Sequence, residues 1–297
     1  MNKLRLFSLI IFTFLIIEQK IEASVDLVIF TFDRPMQLEA LLLSVQKYIK
    51  GIESISCICR TTNTDYKKAY EQVFALFPAL RVVYQSNKPY ADFKPSLLSL
   101  TYDSLAPYVI YAVDDIIVKD YVDLTYCVDI LRKTNAYGFY LRLGKNITEC
   151  YTENRITPPP PLAPIEEAVY SWRFAEGAGD WAYPNTVDMT LFKKDDIKDM
   201  LLKLNYWSPN SLESAWSIQA DLAKKGVCFE SSKIVNLPLN LVQNFCNNRN
   251  MNACPALELL KKFEDGFRID IDDVKKLDNA APHVEYMPKL QLIGTKL

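Results

Sequence analysis

The chain has 297 residues, 49% of them hydrophobic, with 34 Lys plus Arg against 36 Asp plus Glu and a formal net charge of −2. That length buries one large core or two small ones, and the near-neutral balance excludes a nucleic-acid binder working through broad positive potential. A single histidine excludes a poly-histidine zinc site and leaves His283 as the one residue on which histidine catalysis can rest.

Lys3 and Arg5 precede an apolar run over 6–17, and Ile21-Glu22-Ala23-Ser24 follows a short polar stretch. A basic region, an apolar core and an Ala-type cleavage site describe an export signal, either cleaved or kept as an anchor. The run is shorter than the ~20 residues a spanning helix needs. The expected location is the secretory pathway or outside the cell, with membrane contact only through 6–17, and residues 1–23 stand outside the fold. Cys57, Cys59 and Cys127 fall in apolar periodic segments and read as core thiols. Cys150, Cys228, Cys246 and Cys254 lie near loops and are open to bridging in an exported protein. Asn146-Ile147-Thr148 is a glycosylation sequon.

The near-continuous apolar run at 25–31 predicts a strand buried on both faces, broken by Phe32-Asp33-Arg34-Pro35. A helical period follows over 36–48, then a strand at 54–60 ending in Thr61-Thr62-Asn63. A helix is expected at 66–77, a strand at 81–85 and a helix at 96–105. The stretch Tyr-Val-Ile-Tyr-Ala-Val-Asp-Asp-Ile-Ile-Val at 108–118 is the anomaly of the chain. Asp is depleted in strands and rarely buried without a partner, yet Asp114 and Asp115 sit inside a β-branched run with no turn residue near them. They mark a strand end whose tip reaches either a ligand, most simply a divalent cation, or solvent. A helix at 121–131 and a strand at 138–143 complete the alternation.

Strands alternating with helices predict an α/β fold, a mostly parallel sheet with helices on both faces. Ligands in such sheets bind beyond the carboxyl ends of the strands. Asp33-Arg34, Thr61-Thr62-Asn63 and Asp114-Asp115 each fall at such an end. Neither a Gly-x-Gly-x-x-Gly loop nor a Walker loop is present, so a nucleotide is not held in those ways. Beyond 145 the tetraproline 158–161 is an exposed loop. A strand is expected at 186–192, a helix at 195–204, and a second helix from Ser208-Pro209-Asn210 to about 225, with Asn210 and Glu213 in a capping-box spacing. Patterning weakens after 230, and 266–277 reads as solvated surface.

The ordered set Phe30-Thr31-Phe32-Asp33-Arg34-Pro35, Val113-Asp114-Asp115 and the block 187–213 resembles the GT-A fold of nucleotide-sugar glycosyltransferases of the family 2 type, over about 25–225. The resemblance implies a GT-A-like sheet whose residues 24–145 form a nucleotide-binding half and 146–240 an acceptor-side half, with 241–297 a C-terminal extension. It implies an enzyme, a metal-dependent hexosyltransferase of inverting type. Its donor is a nucleotide diphosphate sugar of UDP or GDP type, and its acceptor a glycan, lipid or protein hydroxyl. By the same resemblance Asp115 is the ligand of Mn²⁺ or Mg²⁺, and Asp114 touches the ribose or the metal shell. Thr31, Asp33, Arg34, Thr62 and Lys94 fall at nucleotide-binding positions. Such cations take oxygen ligands and need few protein carboxylates when a diphosphate supplies the rest.

Inverting transfer needs a carboxylate to accept the hydroxyl proton. Glu213 is the first candidate, and Asp180 and Asp188 are the alternatives. Trp172 and Trp181 either stack on a sugar or pack in the core. His283 is open to a metal shell, without support from Pro282 and Val284 beside it. Two other classes fit the same residues: an exported carbohydrate- or partner-binding protein on a non-catalytic GT-A scaffold, and a metal-dependent phosphohydrolase using the Asp pair.

Overall fold

The central strands of the sheet are apolar and buried on both faces, and its edge strands are partly exposed. In the computed structural model, which describes residues 23–243 and 249–293, the strands are β1 (Val25–Phe32), β2 (Ile52–Arg60), β3 (Arg81–Tyr84), β4 (Tyr108–Val113), β5 (Gly138–Tyr140), β6 (Ala163–Glu166), β7 (Val169–Arg173), β8 (Thr190–Lys193) and β9 (Lys225–Phe229). The order across the sheet is β6-β7-β9-β5-β8-β4-β1-β2-β3. Only β7 and β8 run against the other seven. This is the α/β architecture expected from the sequence, a mostly parallel central sheet with helices on both faces. The export segment lies outside the described residues but for Ala23, as does Cys246. Among the described residues no helix is long and apolar enough to cross a membrane.

Alternation along β1 divides the core in two. Leu27 and Ile29 face α1 (Pro35–Tyr48), α2 (Thr64–Leu76) and α4 (Leu124–Thr134), joined there by Cys57 and Cys59. Val28 and Phe30 face α3 (Pro89–Tyr102), α5 (Lys194–Lys203) and α6 (Pro209–Ser217), whose Phe93, Ile197 and Trp216 fill the second layer. The described cysteines are all free and buried, so Cys150, Cys228 and Cys254 do not bridge. In the sequon, Asn146 donates through Nδ2 to Asn279 O (2.7 Å) and Ser232 Oγ (3.1 Å), so its amide is committed to the fold.

Several boundaries differ from expectation, each for a local reason. Helix α3 begins at Pro89, a residue suited to the first turn, and runs through Pro95 rather than starting after it. The expected strand at 186–192 pairs only from Thr190, because Met189 takes φ +47° and ends the extended run. Helix α6 is closed by Ser208 and Ser211, which form the capping box in place of Asn210 and Glu213, and it ends at Ser217; residues 225–229 are instead β9. Residues 266–277 are not a solvated surface. Phe267–Ile269 pairs with Leu290–Leu292, Ile269 and Val274 are buried against α1, and Arg268 clamps the buried Glu39 at 2.8 Å.

The far end of the sheet is pinned by a buried ion pair. Lys194 Nζ lies 2.7 Å from Asp26 Oδ2, and Ser54 Oγ donates to Asp26 Oδ1 at 2.6 Å. In Asp26→Ala the Lys194 charge stays buried without its counter-ion. The expected cost is about 3–5 kcal/mol, read as a lower urea midpoint at unchanged m-value.

Candidate active site

Parallel strands deliver their carboxyl ends to one edge, and β8, running the other way, delivers its lead-in residues to the same edge. Between these ends lies a cleft of about 590 Å³ lined by Asp114, Asp115, Arg142, Asp188, Glu213 and His283 among others.

At the β1 and β4 ends, Asp114 is fully engaged. Its Oδ2 accepts from Thr31 Oγ1 (2.8 Å) and the Phe32 N–H (3.1 Å), and its Oδ1 from Arg34 Nη1 (2.9 Å). Arg34 also reaches Asp115 Oδ2 at 3.4 Å and Asn240, through Nε to Oδ1 (2.9 Å) and Nη2 to the carbonyl. Tyr70 OH completes the network from α2, 2.5 Å from Thr31 Oγ1. Asp115 differs from its neighbour: its Oδ1 is buried and has no hydrogen-bond partner. Burial, the largest cause, and the nearby Asp114 and Asp188 charges push its carboxyl up to about 6, against the pull of Arg34 and His283.

Across the cleft, Glu213 projects from the second turn of α6. Because Ser208 and Ser211 satisfy the helix start, its carboxylate is released from capping. Its Oε1 accepts from Thr186 Oγ1 and the Val187 N–H, both at 2.8 Å. Burial first, then the Asp188 charge, push it up to about 7, while those two bonds and Arg142 pull it down. Asp188 is held by Asn236 Nδ2 (3.1 Å) and lies 3.7 Å from His283 Nε2. Asp180 is spent on Arg142, a fully buried guanidinium that also donates to the Asp180 (3.0 Å) and Tyr183 (2.9 Å) carbonyls.

The fold thus brings Thr31, Arg34, Asp114, Asp115, Asp180, Asp188 and Glu213 together. It leaves aside three residues expected at the nucleotide and two tryptophans. Lys94 donates to the Leu202 (2.9 Å) and Leu204 (2.6 Å) carbonyls, closing the end of α5. Asp33, at φ +50°, turns both oxygens onto Thr62, whose N–H lies at 2.9 Å and Oγ1 at 2.7 Å, and neither residue lines the cleft. Trp172 and Trp181 are core residues, each with its indole N–H on a backbone carbonyl.

Four residues in the cleft carry no role in the sequence reading or only a weak one. Asn240 and Arg142 are buried partners, Trp207 is an exposed indole at the rim, and His283 arrives by the backbone. The Asn236 N–H donates to the Pro282 carbonyl (2.9 Å) and the Val284 N–H to the Asn236 carbonyl (3.0 Å). That pairing brings the tail to the cleft and stacks His283 on Tyr151, centroids 5.8 Å apart.

Among the described residues no group of three His, Cys, Asp or Glu is arranged to hold a metal ion. The orphaned Oδ1 of Asp115 nonetheless fits a hard cation that takes one or two protein oxygens and draws the rest from diphosphate and water.

No protein-family model matches the chain. The chain is similar to the bifunctional glycosyltransferase pgtA of Dictyostelium discoideum, 26% identical over 198 residues, which is 61% of this chain and 25% of that protein. It therefore spans about a quarter of the length of that relative. Among solved structures, TarS 1–349 of S. aureus in complex with UDP overlaps 71% of this chain and 59% of its own at 10% identity, with a TM-score of 0.49. The mannosyltransferase PcManGT of Pyrobaculum calidifontis, in complex with GDP-Man and Mn²⁺, overlaps 68% of this chain and 53% of its own at 10% identity, with a TM-score of 0.40.

Proposed function

We propose that this chain is a metal-dependent glycosyltransferase that moves a hexosyl group from a nucleotide diphosphate sugar, of UDP or GDP type, to an acceptor hydroxyl with inversion. One observation carries the reading: a single cleft holds both a buried carboxylate oxygen without a partner, on Asp115, and a carboxylate pushed up to about 7, on Glu213. The sequence similarity to a bifunctional glycosyltransferase supports it.

Glu213 accepts a hydrogen bond from the acceptor hydroxyl. As the acceptor oxygen attacks the anomeric carbon, its proton passes to the Glu213 carboxylate and the new glycosidic C–O bond forms. The bond from the anomeric carbon to the β-phosphate oxygen breaks on the opposite face, and the electron pair leaves with the nucleoside diphosphate. Asp115, with Asp188 or His283 beside it, would hold Mn²⁺ or Mg²⁺, which would supply Lewis-acid charge to that leaving group. Arg34 and Asp114 are positioning residues: they lock the β1 and β4 ends so that Asp115 has one orientation. Phe32, Arg60 and Gln85 line the cleft, and the proposal seats the nucleoside against them.

Calorimetric titration of UDP and GDP, with and without MnCl₂, tests the reading. One nucleotide is expected to bind more tightly by at least about tenfold with the metal, and Asp115→Ala is expected to erase that difference. If neither nucleotide binds, the donor site does not exist and a non-catalytic binding protein becomes the better reading.

A further inference from the structure

We propose that Trp207 is the platform on which the acceptor lies and that the acceptor is a carbohydrate. The inference rests on the transferase reading above and extends it to the acceptor's chemical class. Of the four tryptophans, Trp172, Trp181 and Trp216 are buried at 3%, 0% and 0% exposure, whereas Trp207 is 45% exposed and lines the cleft. A single exposed aromatic on a surface is ordinary. This one is held in place. The Trp207 N–H donates to Ser211 Oγ at 2.9 Å, the Ser208 N–H donates to the same oxygen at 2.9 Å, and Pro209 fixes the next backbone angle. The capping box that starts α6 thus also anchors the backbone that carries the indole.

The helix that follows presents the complementary polar groups. Asn210, Glu213 and Ser214 stand at i, i+3 and i+4, which is one helix face, and all three line the cleft with Trp207. Glu213 is the proposed base. The side chains of Asn210 and Ser214 make no hydrogen bond among the described residues, leaving an amide and a hydroxyl beside the base. A sugar ring has a C–H face that lies flat on an aromatic ring and a girdle of hydroxyls that an amide and a hydroxyl can orient. A lipid acceptor calls for a continuous apolar groove, and a peptide for an open strand edge or a row of backbone partners. One exposed indole in a cleft with a free amide on Asn210 and a free hydroxyl on Ser214 suits neither.

The test is saturation-transfer NMR on a mixture of the methyl glycosides of glucose, galactose, mannose, fucose and N-acetylglucosamine. MnCl₂ and UDP or GDP are present, and wild type is compared with Trp207→Ala and Trp207→Phe. At least one glycoside is expected to receive magnetisation in wild type. That signal falls about tenfold in Trp207→Ala and is largely kept in Trp207→Phe, while nucleotide affinity stays within about twofold in all three. Equal transfer in Trp207→Ala overturns the platform. Nucleotide binding with no glycoside contact overturns the carbohydrate acceptor and leaves the donor site standing. If neither nucleotide binds, the transferase reading fails and takes this inference with it.

Discussion

Replacing Glu213 with glutamine lowers the transfer rate by about 10²- to 10⁴-fold and leaves nucleotide affinity within about twofold. Glutamine still offers an oxygen to Thr186 Oγ1 and the Val187 N–H, so the loop before β8 keeps its anchor. What is lost is the acceptor of the proton. A base must be ionised to work, and the Glu213 carboxyl is raised to about 7 by burial and by Asp188. The wild-type rate therefore climbs about tenfold per pH unit below neutrality and levels off above about pH 7. A flat profile in wild type, or an unimpaired glutamine variant, moves the proton transfer to another group, with Asp188 the nearest carboxylate.

The same shift has a stability sign. The folded-state pKa lies above the ordinary glutamate value of 4.5, so between those two values the folded chain binds more protons than the unfolded one. Stability from this group then falls as pH rises from about 4.5 to 7. The glutamine variant escapes that loss and is expected to melt higher than wild type at pH 8, the signature of a residue kept for activity.

The second large effect separates two adjacent aspartates. Asp114→Ala removes the acceptor for Thr31 Oγ1, the Phe32 N–H and one arm of Arg34, all in a buried site. The expected cost is about 3–5 kcal/mol of unfolding free energy. Asp115→Asn goes the other way. Its carboxyl is raised from 3.8 to about 6, chiefly by burial, so in the metal-free protein ionisation between about pH 4 and 6 works against folding. The asparagine variant is expected to match wild type in urea at pH 4, to exceed it at pH 8, and to lose metal-dependent nucleotide binding. Equal destabilisation by both changes refutes the division of roles.

Sequence legibility followed from where the signal is local. The apolar run of β1 and the alternation of strands and helices specify the parallel half of the sheet, because each unit is built from neighbours in the chain. Asp114 and Asp115 stood out because a carboxylate in a β-branched run needs a reason. Arg142, in Phe139-Tyr140-Leu141-Arg142-Leu143, is an anomaly of the same kind, and its burial beside Asp180 and near Glu213 was open to the same logic. The resemblance puts Lys94 at a nucleotide-binding position, and Thr62 follows from its place at a strand end. Side-chain direction decided otherwise: Lys94 closes a helix end, and Thr62 satisfies an aspartate in a left-handed turn. The capping box at Ser208 and Ser211 inverted another reading. Serine at both positions hid the box and made Glu213 look like its member. His283 had no local signal, because a backbone pairing with Asn236 carries it in.

That pairing also sets a schedule. Residues of β1 and β4 emerge from the ribosome early, with Arg34, Asp114 and Asp115 already able to meet. Asn240, which fixes Arg34, and His283, which faces Asp188, are translated much later. At roughly 5–20 residues per second the interval between Asp115 and His283 is on the order of ten to thirty seconds. Through that interval Arg34 and Asp188 stand without two of their partners. The cleft is thus assembled from segments far apart in the chain, and it is incomplete until residues 236–283 have come back to the strand ends.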